Sequence, residues 1–188
     1  MACFEESGGG ADVRSDFARM VRRDLPALLL YARSLSRGVS TDDAEDWVQD
    51  AFLRLWERIR VGETPERPTF WLYRVVRNRS IDAVRRAAVH RRWREESREG
   101  ASIRFSLPDA SSVETREEIR RLERGLAALP PEIREIVTTK IWGDLSFDDL
   151  AELTGAARTT LFDRFQKGVT ILRRFWDHDG GDNEKFEK

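Results

Sequence analysis

The sequence predicts an all-α fold of two small helical domains joined by a flexible linker, and three observations carry that expectation. Apolar residues recur at helical spacing in almost every segment between chain breakers, and no stretch shows the strict alternation of a half-buried strand. The third observation is an internal gap in the periodicity: "REGASIRFSLPDASS", residues 98–112, concentrates Gly, Ser and Pro and reads as linker. The chain therefore divides into a domain over 12–96, a linker over 97–113, a second domain over 114–176 and a polar tail over 177–188 expected to be disordered.

A first helix is predicted over 12–37. Its apolar run, "LPALLLYA" at 25–32, is far shorter than the roughly 20 residues that cross a bilayer. The segment before it lacks the basic stretch and apolar core of a secretory signal, so a cytoplasmic location without membrane insertion is expected.

The second helix, 41–60, opens with Ser40 or Thr41 ahead of Asp42, Asp43 and Glu45, a cap followed by acids that suit the positive end of the helix dipole. At 100° per residue, Ala44, Trp47, Val48, Ala51, Phe52, Leu55 and Ile59 form one core stripe. Leu53 then points away from that stripe beside Asp46, Gln49 and Asp50, with Trp56 toward the edge of the same outer face. An outward leucine and tryptophan among polar residues are candidates for a protein contact, unless a third helix of the same domain covers them.

A loop stiffened by Pro65 and Pro68 leads into a helix over 68–96. Trp71, Leu72, Val75, Val76, Ile81 and Val84 are expected to supply its buried stripe. Between 74 and 98 lie nine arginines against Asp82, Glu95 and Glu96, a local excess of six positive charges on a chain whose net charge is −1. With Phe70, Trp71, Tyr73 and Trp93 interleaved, these are the materials that bind single-stranded nucleic acid, bases stacking on rings while arginines follow phosphates. The competing readings are a solvated arginine face and a core role for some of the aromatics.

Helices over 113–128 and 131–142 come next, the latter started by Pro130 and Pro131, where a missing amide costs little. Leu129, Ile133, Ile136, Val137, Ile141 and Trp142 should form its packing face. The stretch "SFDDLAELTGAARTTLFDRFQKGVTILRRF" then holds two helices, 146–154 and 158–177, around a turn in which Gly155 is free to adopt a left-handed conformation. That is helix-turn-helix grammar, although a plain helical hairpin has the same outline. In the second helix Leu161, Phe165, Val169 and Leu172 face inward; Thr159, Thr160, Asp163, Gln166 and Lys167 face outward with Arg158 and Arg164 at the flanks, all groove-contacting residue types.

Enzyme chemistry finds no support. The acids stand mostly at helix starts, Cys3, His90 and His178 have no metal-ligand spacing, and there is neither a Ser/His/Asp or Cys/His arrangement nor a phosphate-cradling Gly-rich loop. No catalytic residue, metal or cofactor is expected.

Taken in order, these segments resemble the sigma factors of bacterial RNA polymerase, specifically the small extracytoplasmic-function group that has only the region 2 and region 4 domains. "DDAEDWVQDAFLRLWER" resembles region 2.2, "FWLYRVVRNRSIDAVRR" resembles regions 2.3 and 2.4, and the stretch from "LAALPPEIREIV" to "TILRR" resembles region 4. The resemblance implies core RNA polymerase and promoter DNA as partners, with an anti-sigma factor as a further partner that the family allows. It implies polymerase contacts at Asp46, Gln49, Asp50, Leu53 and Trp56, minus-ten DNA contacts at Asn78, Asp82, Arg85 and Arg86, and minus-thirty-five contacts at Arg158, Thr159, Thr160, Asp163, Arg164, Gln166 and Lys167. The loop over 61–69 falls where such proteins capture a flipped base of the minus-ten element. Phe162, Asp163 and Gly168 depart from the family's common residues, which leaves the promoter sequence open. The alternative is a stand-alone two-domain helix-turn-helix regulator that binds duplex DNA as a dimer.

Overall fold

The computed structural model describes residues 9–35, 41–91 and 113–180, and every element among them is an α-helix. The order is α1 (Gly9–Leu35), α2 (Thr41–Arg60), α3 (Pro68–Arg91), α4 (Val113–Ala128), α5 (Pro131–Ile141), α6 (Phe147–Thr154) and α7 (Arg158–Gly180). The helices follow the predicted segments closely. The main differences are an earlier start for α1 and a last helix that runs to Gly180, into the stretch expected to be tail. The predicted linker, apart from Val113 at the start of α4, and Trp93 lie outside the described residues.

α1, α2 and α3 form a first bundle. Ala44, Trp47, Val48, Ala51, Phe52 and Leu55 of α2 are buried as the helical spacing requires, against Leu28, Tyr31 and Ala32 of α1. On α3 the buried stripe is turned relative to the expectation. Phe70, Leu72, Tyr73 and Val76 are buried, whereas Trp71, Val75 and Ile81 are only half-buried, and the side chain of Val84 lies outside those described. The reason is that α3 packs on three helices, α1 and α2 of its own bundle and α6 beyond it, so no single 100° stripe can describe its core.

α4 to α7 form the second bundle. Leu126, Leu129, Val137 and Leu172 make one buried cluster, and Ile136, Leu150 and Leu161 make another beneath the turn between α6 and α7. The packing face expected for α5 stops short, for Ile141, the last residue of the helix, is exposed: at 100° per residue it stands about 90° round from the centre of the face that carries Ile133, Ile136 and Val137. α6 begins with a capping box in which the Ser146 side chain accepts from the Asp149 amide and the Asp149 carboxylate accepts from the Ser146 amide. It ends at Gly155, whose φ of 75° is the left-handed turn that a residue with a Cβ adopts only at a cost.

The two bundles are packed against each other. α5 lies on α1 and α6 on α3. Leu30 of α1 reaches into the second bundle's core, while Leu145 and Leu153 belong to the first bundle's core. Gly143 touches Tyr73 so closely that a Cβ at this position would stand 2.5 Å from the tyrosine hydroxyl oxygen. Flanking this apolar seam, Glu135 of α5 accepts from Tyr31 at 3.1 Å and from Arg77 at 2.9 Å. Burial, and then the charge of Glu135, raise the Tyr31 pKa well above its ordinary value.

Candidate functional site

Three surfaces carry the residues singled out from the sequence, and each is positioned by a different helix. The first is the outer face of α2. Asp46, Gln49 and Leu53 are exposed, Leu53 to 55%, because the opposite face of the helix is fully used by the core. Trp56 is half-buried: its ring stands 4.9 Å from that of Phe17, so α1 covers part of it. Asp50 is half-buried and paired with Arg54, one turn on, and with Arg79 of α3 at 2.7 Å. Gln49, Leu53 and Trp56 border an apolar groove of about 780 Å³ between α1 and α2, whose other wall includes Phe17, Val21, Leu25 and Leu29.

The second surface lies on α3. Asn78, Asp82, Arg85 and Arg86 are all exposed and share one side of the helix at spacings of three and four residues. Arg86 donates to the Asp82 carbonyl at 3.3 Å, a weak contact that leaves most of its guanidinium for a ligand. Phe70 and Tyr73 are enclosed by the core, so they offer no ring for a base to stack upon.

The start of α3 is fixed from behind. The buried carboxylate of Asp24 accepts from the Thr69 hydroxyl at 3.0 Å and from Arg23 Nε at 2.6 Å, tying the first turn of α3 to α1. Burial, followed by the charge of Asp24, raises the pKa of Tyr73 in the same region.

The third surface is the first three turns of α7. Arg158, Thr159, Thr160, Asp163, Gln166 and Lys167 are exposed, and Arg164 is half-buried at the edge. Arg158 pairs loosely with Asp148 at 3.4 Å. Leu161 and Leu172 hold the inner side, as the spacing requires.

Two residues outside the individual contacts expected from the sequence belong to these surfaces. Phe162 is 48% exposed on α7, its ring edge-on to Phe147 at 5.6 Å. Helical spacing alone could have placed it, since it stands one turn before Gln166. The other is Arg67, in the loop before α3, which crosses the seam to Asp149 at 2.6 Å and to Glu152. A partner 82 residues away leaves no local signal. Although burial works in the opposite direction, hydrogen bonds from Ser146 and the cation of Arg67 lower the Asp149 pKa below its ordinary value.

Among the described residues, no cluster of His, Cys, Asp and Glu is placed to hold a metal ion, and no helix is long and apolar enough to cross a membrane.

The arrangement agrees with known proteins. Residues 20–90 match the family "Sigma-70 region 2". The chain is 30% identical over 151 residues to the ECF RNA polymerase sigma factor SigL of Mycobacterium tuberculosis, covering 80% of this chain and 84% of that one. It is 27% identical over 146 residues to the ECF RNA polymerase sigma factor RpoE of Cereibacter sphaeroides, covering 74% and 76%. Among solved structures, the sigma factor RpoE in complex with the anti-sigma factor NepR from Bartonella quintana superposes with a TM-score of 0.67 at 23% identity, over 87% of this chain and 98% of that one. At that identity the superposition establishes the fold, and the family follows from the sequence relatives: the chain belongs to the extracytoplasmic-function sigma factors of RNA polymerase.

Proposed function

We propose that the chain acts as an alternative sigma factor, docking on core RNA polymerase through the outer face of α2 and reading promoters with α3 and α7. The observation that carries the polymerase contact is Leu53. A leucine exposed to 55% at the rim of an apolar groove, with Asp46 and Gln49 beside it, has no use in the free chain and suits the centre of a protein interface. Arg85 and Arg86 serve the strand backbone near the melted segment, with Asn78 and Asp82 beside them. The exposed residues from Arg158 to Lys167 meet duplex at the minus-thirty-five element, as the second helix of a helix-turn-helix does.

The work done is binding, without bond chemistry by this chain. Extruding bases costs on the order of a few kcal/mol, repaid by stacking and pocket contacts. The setting is the cytoplasm, where polymerase and promoter meet. An anti-sigma factor, the class of partner bound to the Bartonella quintana protein, is a fitting regulator.

The test replaces Leu53 with Asp. Helix content and thermal melting should stay within error of the parent, while co-purification with core polymerase and promoter-dependent transcription should fall at least tenfold. A variant that unfolds would make Leu53 a core residue, and one that transcribes normally would move the polymerase contact elsewhere. Tight promoter binding by the parent chain without polymerase would favour the stand-alone regulator.

A further inference from the structure

We infer that Arg67 is a contact for promoter phosphate, and that in the closed chain its site is occupied by the Asp149 and Glu152 carboxylates of α6. The inference rests on the sigma-factor reading and adds a residue and an internal competition to it. Arg67 sits one residue ahead of α3, whose exposed side carries Arg85 and Arg86. Its guanidinium lies 4.3 Å over the Phe70 ring, which holds the fork in place. Nη1 meets Asp149 Oδ1 at 2.6 Å and Nη2 meets a Glu152 oxygen. Two anionic oxygens on the two terminal nitrogens of one guanidinium are what a phosphodiester would present there.

The carboxylates are built to let go. Arg67 and Glu152 are each about half exposed, at 49%, and exposed pairs of this kind are weak and screened by salt. Asp149 also keeps its place without Arg67, since the Ser146 amide and hydroxyl donate to it at 2.9 and 2.6 Å. Freeing Arg67 therefore does not undo α6.

Promoter geometry requires the release. Elements centred near positions minus ten and minus thirty-five are about 25 base pairs apart, or about 85 Å along duplex rising 3.4 Å per pair. A compact domain of about 150 residues has a radius of gyration of only about 15 Å. With α6 seated on α3 the two reading surfaces cannot span that distance, so promoter engagement must part the seam and uncover Arg67.

The experiment measures affinity across a salt series in two settings. Holoenzyme is titrated with a fork-junction promoter carrying both elements, and the free full-length chain with a single-stranded minus-ten oligonucleotide. Arg67→Ala should weaken holoenzyme binding about three- to tenfold and reduce the log–log salt slope by about 0.7 to 0.9, the share of one phosphate, without changing sequence preference. Arg67→Lys, which keeps the charge but loses the fork, should recover the slope and part of the affinity. Glu152→Gln should tighten oligonucleotide binding by the free chain several-fold and leave the holoenzyme slope unchanged. An unchanged slope for Arg67→Ala overturns the phosphate contact, and no gain for Glu152→Gln in the free chain overturns the competition. Failure of the sigma-factor reading would look different: the parent chain itself would give no polymerase-dependent transcription.

Discussion

Arg77 of α3 donates from Nε to Glu135 of α5 at 2.9 Å, across the seam between the two bundles. The same carboxylate oxygen accepts from Tyr31, so one acidic side chain gathers a helix from the first bundle, a second helix from it, and its own helix. Apolar contact supplies most of the seam through Leu30, Leu145 and Leu153. The ion pair adds register more than adhesion, because desolvating two charges offsets much of their attraction.

Glu135 is where that seam is most easily tested. The side chains of Arg77 and Glu135 are 23% and 15% exposed, so truncating the acid strands a partly buried guanidinium and a buried tyrosine hydroxyl together. Glu135→Ala should cost about 2–3 kcal/mol in urea denaturation. Glu135→Gln retains an acceptor for Tyr31 and should cost less, about 1–2 kcal/mol. A loss below about 0.5 kcal/mol for the alanine variant would mean the seam is held by apolar contact alone.

Gly168 presents a contest between two effects of known size. As a helix-interior glycine it gives up about 1 kcal/mol relative to alanine, so Gly168→Ala ought to stabilise α7 on propensity alone. Against that, a Cβ at this position would meet Val137 at 2.5 Å and Ile133 at 2.6 Å, and both neighbours are β-branched and stiff. Overpacking of this kind costs about 1–3 kcal/mol, so the net change should be destabilising by about 1 kcal/mol. Adding Val137→Ala should remove one of the two close contacts and leave the one with Ile133, giving a double-mutant coupling of about 0.5–1 kcal/mol. Stabilisation by Gly168→Ala alone would show that α5 and α7 can separate at no cost.

Much of this was legible in the chain because helical grammar is local. Ser146, Asp149 and Gly155 announce the ends of α6 within ten residues of one another, and the observed capping box and left-handed turn follow from those residue types. The face of α2 was equally plain: seven apolar positions at one spacing leave Leu53 nowhere to go but out. The arginine-rich stretch was harder. Phe70 and Tyr73 carry the same signature whether they stack on bases or fill a core, and the choice is made by α1, α2 and α6, which enclose α3 from several sides. The seam itself was out of reach. Arg67 finds Asp149 and Glu152 over more than 80 residues of chain, and no periodicity records a pairing at that separation.

The exposed arc of α7 allows a final division of labour between neighbouring side chains. Gln166 and Lys167 are both exposed, but they lie 100° apart on the helix and differ in what they can do. Glutamine offers a donor and an acceptor in one plane, matched to an adenine edge, and each such bidentate contact discriminates by about 1–3 kcal/mol. Lysine offers a mobile point charge that any phosphate satisfies. Gln166→Ala should therefore change base preference at one or two minus-thirty-five positions with a modest loss of affinity. Lys167→Ala should weaken all promoters alike and lower the salt slope by about one contact's worth. The measurement is selection from a promoter library by each variant holoenzyme at two salt concentrations. If Lys167→Ala rewrites the selected motif and Gln166→Ala leaves it intact, α7 enters the groove rotated by about a quarter turn, with Thr160 and Lys167 toward the bases and Gln166 toward the backbone.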